Sequence, residues 1–272
     1  MVRNRLLSPG SIEPPARGAA KAAAGPKAGT GVPGLDAVLD GGFPAGRAVL
    51  LCGRAGTGKT TFGLQFVREG LQVGEPGIFV TVDEKPHHLI ADAASIGFDF
   101  TRPIERSELL VLDASPYFTA TRTGTWTGRG IDPRHIAGDL VQQVRKIGAR
   151  RLVIDSVTSL VPPDLGRSHT FDYLRSLVHS WEDNLGCTVL MTCRGSRLDA
   201  NGSCDAARSL ASGVLELRLA RHAGELVRVL RVRKMRGADV APADYPFTLA
   251  SGGGVSLLDD SRAGVLAAAS NL

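Results

Sequence analysis

The sequence predicts a doubly wound α/β domain, a mostly parallel sheet with helices on both faces and antiparallel strands at its C-terminal edge. Three observations carry this. Short, continuous apolar runs alternate with helix-period segments between about residues 48 and 192, the pattern of βα units whose strands are buried on both faces. A glycine-rich loop, Gly53-Arg54-Ala55-Gly56-Thr57-Gly58-Lys59-Thr60-Thr61, joins the first of these runs to the first helical segment. Beyond residue 212 the period drops to two, with Leu215, Leu217 and Leu219 alternating with Glu216 and Arg218 before a second extended run from Leu226 to Arg233, which reads as an edge hairpin.

The elements follow in order. Residues 1–29 are rich in Ala, Gly, Pro and basic side chains and lack any period, so a disordered tail is expected. Arg3, Arg5, Arg17, Lys21 and Lys27 against Glu13 give this tail +4 of the chain's +5. The folded part is therefore nearly neutral, and net charge gives little support to nucleic-acid binding. The folded domain is expected over residues 30–260. It starts with a short helix at Asp36–Leu39 and a turn at Gly41-Gly42-Phe43-Pro44. The strand Ala48–Cys52 runs into the glycine loop, and Thr61–Leu71 reads as the helix leaving it. A strand at Gly77–Val82 ends in Asp83-Glu84, and a helix from Pro86 to Ile96 stops at Gly97. Leu109–Leu112 is the next strand, followed by a long polar loop over 113–131. Asp132-Pro133 supplies a cap and a first-turn proline for a helix carrying Ile136, Leu140, Val144 and Ile147 on one face. Arg151–Asp155 and Thr188–Thr192 are buried strands on either side of a helix from Thr170 to Leu185. A further hairpin is expected at Phe247–Leu249 and Val255–Leu257, and residues 261–272 read as a C-terminal tail.

Composition narrows the class. Hydrophobic residues make up 43% of 272 residues, enough for a sizeable core. No apolar run approaches the roughly 18 residues that span a bilayer, and Leu6-Leu7 is followed at once by Ser8-Pro9-Gly10, so neither a membrane span nor a signal peptide is expected. The four cysteines form no C-x-x-C pair, and a reduced, cytoplasmic protein is expected. His87-His88 and Cys204 read as loop or helix-start residues rather than metal ligands.

The loop fits G-x-x-x-x-G-K-[ST] between a strand and a helix, the setting of a phosphate-binding P-loop. Gly53, Gly56 and Gly58 let the backbone curl so that N–H groups, including those at Thr57 and Thr61, face phosphate, and the helix N-terminus adds its positive end. Lys59 is expected to reach the β- and γ-phosphates of ATP, and the Thr60 hydroxyl to hold Mg²⁺. Leu152-Val153-Ile154-Asp155 is an apolar strand ending in an acid, which assigns Asp155 to orienting that Mg²⁺. Asp83 and Glu84 are adjacent carboxylates ending a strand expected beside the P-loop strand, placed to orient or deprotonate an attacking water.

With these residues in place, the chain resembles the KaiC-like ATPases of the RecA superfamily over about residues 30–258. The matching segments are Thr30–Asp36, Phe79-Val80-Thr81-Val82-Asp83-Glu84-Lys85-Pro86, Leu112–Pro116, Gly148–Arg151 running into Ile154–Ser159, Lys234-Met235-Arg236-Gly237 and Tyr245-Pro246-Phe247. The resemblance covers one such domain, whereas the circadian member has two in tandem. It implies a RecA-like P-loop NTPase assembled as a homo-oligomeric ring, of six subunits, with ATP between neighbours. Lys234, Met235 and Arg236 would then serve the neighbour's nucleotide, and Ser95 matches a family serine near it. Two departures stand out. Ala238-Asp239-Val240 replaces a T-S-H-like run, which puts base contacts in question, and Asp83 stands where the family has a glutamate. An aspartate reaches about one ångström less far, a displacement that can cost about 10²-fold in rate, so slow hydrolysis is expected.

The leading reading is thus a slow, Mg²⁺-dependent ATPase that signals to a protein partner. A serine/threonine autokinase is the second, with Ser209 beside Arg208 as the acceptor. A RecA/RadA-like DNA-binding recombination or repair ATPase is the third. Against it, the segments 161–170 and 194–208 carry few arginines among several aspartates, and zinc-finger cysteines are missing, so nucleic-acid binding is expected to be weak or absent.

Overall fold

The computed structural model describes residues 25–115, 133–162, 165–195, 201–222, 225–240 and 243–258. Most of the expected basic tail, the cap at Asp132, most of the 113–131 loop and the C-terminal segment 261–272 lie outside them.

A two-stranded ribbon comes first: β1 (Lys27–Ala28) pairs antiparallel with β2 (Phe43–Pro44), the helix α1 (Leu35–Val38) lying between them in sequence. The first described strand thus lies before the expected boundary at residue 30. Backbone pairing to β2 and a Lys27 Nζ bond to Leu39 O (3.0 Å) hold this stretch down. Among the described residues, nine further strands form one mixed sheet: β3 (Ala48–Gly53), β4 (Gly77–Thr81), β5 (Leu109–Asp113), β6 (Arg151–Asp155), β7 (Thr188–Arg194), β8 (Gly213–His222), β9 (Glu225–Met235), β10 (Asp244–Ala250) and β11 (Gly254–Leu257). Their order is β11-β10-β9-β8-β3-β7-β6-β4-β5. Pairings from β8 to β5 are parallel and those from β8 to β11 antiparallel.

This order corrects one expectation. β4 is not beside the P-loop strand, because β7 and β6 lie between them. Asp83 and Glu84 still come near the P-loop, since the helix after it, α2 (Lys59–Gln72), crosses the sheet face over β6 and β4. At Gly63 of α2, a Cβ would stand 3.0 Å from Val153 Cγ1 of β6 and 3.1 Å from Phe79 of β4. The hairpin β8–β9 is also more than an edge: β8 pairs parallel with β3 and makes the P-loop strand an interior one.

Strand alternation divides the core between the two faces. Ala48, Leu50 and Cys52 of β3 join the side covered by α5 (Pro133–Ile147), α6 (Arg167–Asn184) and α7 (Ser203–Leu210), where Leu174, Leu177 and Trp181 are fully buried. Val49 and Leu51 face the side covered by α2, α3 (Pro86–Ser95) and α4 (Thr101–Glu105), with Phe43, Phe62 and Phe66 at its centre. Each such side chain contributes roughly 1.5–3 kcal/mol on burial.

Two polar clamps fix α2. Gln65 donates to Gly31 O (2.6 Å) and Val255 O (2.9 Å) and accepts from Val255 N (2.8 Å), tying β11 and the N-terminal segment to the helix. Arg151, 2% exposed, bonds Glu75 (2.8 Å), Gly29 O (2.6 Å) and Phe66 O (2.9 Å) and lies over the Phe66 ring. A Cβ at Gly70 would fall 2.3 Å from Arg151 Cδ, so only glycine fits there.

The expectation of four reduced cysteines is corrected as well: Cys193 at the end of β7 and Cys204 in α7 are joined in a disulfide. Its cause is α7, a helix absent from the sequence reading, which carries Cys204 back over β7. Cys52 and Cys187 are free and buried. Among the described residues, no helix is long and apolar enough to cross a membrane.

Candidate active site

The P-loop leaves β3 at Gly53 and turns into α2 at Lys59. Glycine is required at 53 by close approach, as a Cβ there would sit 2.5 Å from Thr57 Oγ1 and 2.9 Å from Leu217 O. At 56 and 58 it is required by φ values of +76° and +100°, which side chains with a Cβ disfavour. Thr57 is buried, and its hydroxyl and Lys59 Nζ both donate to Arg54 O, at 2.8 and 3.0 Å. These bonds hold the loop in its curl. Thr61 stands in the helix's first turn, half-buried.

Beside the loop is a cleft of about 180 Å³ at the C-terminal ends of the parallel strands, where open α/β sheets bind ligands. Its lining brings together Lys59 and Thr60 from the loop and helix, Thr81, Asp83 and Glu84 from the end of β4, Asp155 and Ser156 from the end of β6, and Arg194 from the end of β7. Thr60 Oγ1 donates to Asp155 Oδ2 at 2.7 Å, and the Thr192 hydroxyl donates to Asp155 Oδ1. The carboxylate is thereby aimed at the loop. Asp83 accepts from Ser159 Oγ at 2.8 Å and, at 3.4 Å, from Ser156 Oγ, while the Arg194 guanidinium stands 4.0 Å away. Ser156 and Ser159 belong to the turn that follows β6, so Asp83 is anchored across the sheet to the strand that carries Asp155.

The electrostatics match this geometry. Burial pushes the Lys59 ammonium pKa below that of an ordinary lysine, and the Asp155 carboxylate partly offsets the shift. Burial, reinforced by the neighbouring carboxylates of Asp92 and Asp155, holds the Glu84 carboxyl above the usual glutamate range. A carboxylate shifted in this direction is a stronger proton acceptor than an ordinary glutamate.

The remaining predicted residues lie elsewhere. Ser95 ends α3, its hydroxyl donating to Asp92 O at 2.7 Å. Lys234 and Met235 end β9, and Arg236 follows. Met235 pairs with Gly213 at the start of β8, which pairs with Val49 near the start of β3. The P-loop leaves β3 four residues later, roughly 13 Å along the strand, at the opposite end of the sheet. Lys234 Nζ donates to Ala211 O (2.6 Å) and Ser209 O (3.3 Å). Arg236 is exposed, and among the described residues its guanidinium has no ion pair. The Ser209 hydroxyl donates to Asp205 O within α7.

The sequence reading missed Arg194, Thr192, Ser156 and Ser159 as site residues. Arg194 had a usable signal, a basic residue ending a strand that pairs Arg194 with Gly53. Ser159 had none, because its contact with Asp83 spans 76 positions.

Comparison with known proteins places this geometry. The family model "ATPase: KaiC" matches residues 28–262. A UPF0273 protein of Thermotoga maritima is 35% identical over 232 residues, covering 82% of this chain and 93% of its own. The circadian clock oscillator protein KaiC of Prochlorococcus marinus is 33% identical over 82% of this chain, which spans 43% of the clock protein's length. Among solved structures, a KaiC-like protein of Pyrococcus horikoshii superposes with a TM-score of 0.70 at 30% identity, over 86% of this chain and 99% of that one.

Proposed function

We propose, from the premise that the chain belongs to the KaiC ATPase family, that it binds ATP in the cleft beside the P-loop and hydrolyses it slowly, as a subunit of a homo-oligomeric ring that signals to a protein partner. The observation that carries this reading is the convergence of Lys59, the Thr60–Asp155 pair and the carboxylates of Asp83 and Glu84 on one cleft. The curled loop presents its N–H groups to the phosphates, and Lys59 supplies a cation to the β- and γ-oxygens. A hydroxyl and a carboxylate oxygen 2.7 Å apart form the hard-oxygen pair that suits Mg²⁺, so Thr60 and Asp155 would hold that ion. When bound, it neutralises charge on the phosphate oxygens.

Glu84 and Asp83 are assigned to orienting the attacking water and accepting its proton. Asp83 is short, and its bond to Ser159 holds it toward β6, so hydrolysis is slow. Lys234, Met235 and Arg236 complete the nucleotide site of an adjacent subunit, and Ser95 is assigned near the nucleotide. Arg236 presents its guanidinium to the neighbour's γ-phosphate as an arginine finger does. Nucleic-acid binding is weak or absent on this reading, since a nearly neutral domain releases few counterions.

Calorimetry tests the core of the reading: Lys59→Ala abolishes ATP binding, and unchanged affinity would overturn it. Light scattering with and without ATP tests the ring, a monomer under both conditions ruling it out.

A further inference from the structure

Three of the chain's four cysteines leave three different elements and meet behind the P-loop. Cys52 stands on β3 directly before its last residue, Gly53, Cys193 stands on β7 directly before the cleft residue Arg194, and Cys204 lies in the first turn of α7. All three are buried, and their sulfurs lie within 4.8 Å of one another. Cys193 and Cys204 share the disulfide, and Cys52 Sγ stands 3.2 Å from Cys193 Sγ. Arg208, one turn beyond Cys204, donates Nε–H to Cys52 Sγ at 3.4 Å.

A third sulfur 3.2 Å from a disulfide sulfur, with a guanidinium hydrogen-bonded to it, brings a nucleophile within reach of a disulfide, and a small rotation of the Cys52 side chain would bring it in line for thiol–disulfide exchange. We propose that Cys52, Cys193 and Cys204 form an internal exchange site, in which the chain's disulfide moves between Cys193–Cys204 and Cys52–Cys193. Cys52 gives its proton to water and attacks Cys193 Sγ as a thiolate. The Cys52–Cys193 bond forms, the Cys193–Cys204 bond breaks, and Cys204 departs with the electron pair as a thiolate that then takes up a proton. One disulfide and one thiol are present before and after, so no external oxidant or reductant enters. Cys204 is the suitable leaving group because it lies in the N-terminal turn of α7, where the helix dipole favours a thiolate. Burial holds the Cys52 thiol above its ordinary pKa; the Arg208 hydrogen bond and charge and the Lys59 ammonium oppose that shift, and the Glu216 carboxylate adds to it. Exchange therefore quickens as pH rises, by about tenfold per unit below that pKa, since only the thiolate attacks.

The two forms hold the site differently. In the first, β7 is tied to α7. In the second, β7 is tied to β3 at paired positions, next to Gly53 on one strand and Arg194 on the other, and α7 is released. The end of α7 carries the carbonyl of Ser209, one of the two that hold Lys234. On the proposed intersubunit role of Lys234, exchange thus reaches both sides of the nucleotide site. The exchange itself does not depend on that role.

Disulfide mapping of the full chain tests it. Protein is held without reductant at pH 6 and pH 8, quenched in acid, digested with pepsin at low pH to freeze exchange, and its linked peptides identified by mass spectrometry. Both the 193–204 and the 52–193 linkages are expected at pH 8, the second arising about 100-fold faster than at pH 6. Arg208→Met is expected to slow its appearance by about tenfold, and Cys52→Ser to leave 193–204 as the sole linkage. Oxidised glutathione should drive Cys204→Ser fully to the 52–193 bond. The wild-type map decides: if no 52–193 peptide forms at pH 8 over days, the proposal fails whatever the variants do. Because the readout is a covalent bond, a failure of the ATPase reading would leave it untouched.

Discussion

The two ends of the sheet are built in opposite ways. At the C-terminal ends of β3, β4, β6 and β7, two of the acids already have partners: Asp155 is held by Thr60 and Thr192, and Asp83 by Ser159. At the other end, the C-terminal end of β9 offers two cations that, among the described residues, form no ion pair. There Lys234 is held by carbonyls, and Arg236 is exposed. The first arrangement resists reorganisation, as a site that stabilises developing charge must. The second stands apart from its own P-loop, roughly 13 Å away along the strand. What completes it, on the proposed reading, is a second subunit's γ-phosphate.

The sharpest way to break that contrast is to remove the exposed cation. Arg236→Ala should leave ATP binding intact and lower hydrolysis by about 10³-fold, the scale of an arginine finger. Mixing it with Lys59→Ala subunits should restore part of the rate, since some sites then join an intact P-loop to an intact Arg236. Mixed oligomers that demonstrably exchange subunits yet show no rescue would refute the intersubunit assignment. The next largest effect belongs to the prepared end. Changing Asp83 to Asn and Glu84 to Gln together should cost about 10²-fold or more in turnover while ATP still binds. A rate kept within threefold would move the proton acceptor elsewhere.

The sequence exposed the prepared end far better than the open one, for a physical reason. A P-loop is a local object: its glycines, lysine and threonine are contiguous, and at Gly56 and Gly58 the backbone angles themselves demand the residue type. Strand-end acids such as Asp155 are nearly as local, needing only an apolar run before them. What sequence could not supply was order across the sheet. It put β4 next to β3 although β7 and β6 intervene, and it gave no sign that Ser159 anchors Asp83 or that Arg151 closes three elements on one guanidinium. The short helix α7 escaped because its apolar face is made of Cys204, Ala206 and Ala207, too small to register as a period. With α7 unseen, the meeting of three cysteines was unseen too.

A smaller effect sharpens the electrostatic side. If Glu84 accepts a proton in its ionised form, turnover falls as pH drops through its pKa, which burial and the charges of Asp92 and Asp155 hold above the ordinary glutamate range. Asp92→Asn removes one of those charges and leaves the burial, so the acid limb of the kcat profile should move to lower pH without disappearing. A limb that does not move would separate Glu84 from the proton transfer.

The last test expects no change at all, and it separates hydrolase from autokinase. Phosphoryl transfer to a side chain needs a hydroxyl in line with the γ-phosphate and a carboxylate close enough to take its proton. Ser209 sits on α7, outside the lining of its own cleft, and its hydroxyl is spent on Asp205 O. Any transfer to it would have to come from a neighbour's nucleotide, against a carboxylate, Asp83, that is short and already turned toward Ser159. A water molecule can move into the gap that a short acid leaves, whereas a serine tethered to a helix cannot. Incubation with Mg-ATP followed by intact-mass measurement should therefore show ATP consumed with no stoichiometric phosphate on the chain. A near-complete gain of one phosphate that disappears in Ser209→Ala would make this protein a kinase, and would require α7 to leave the position it holds over β7.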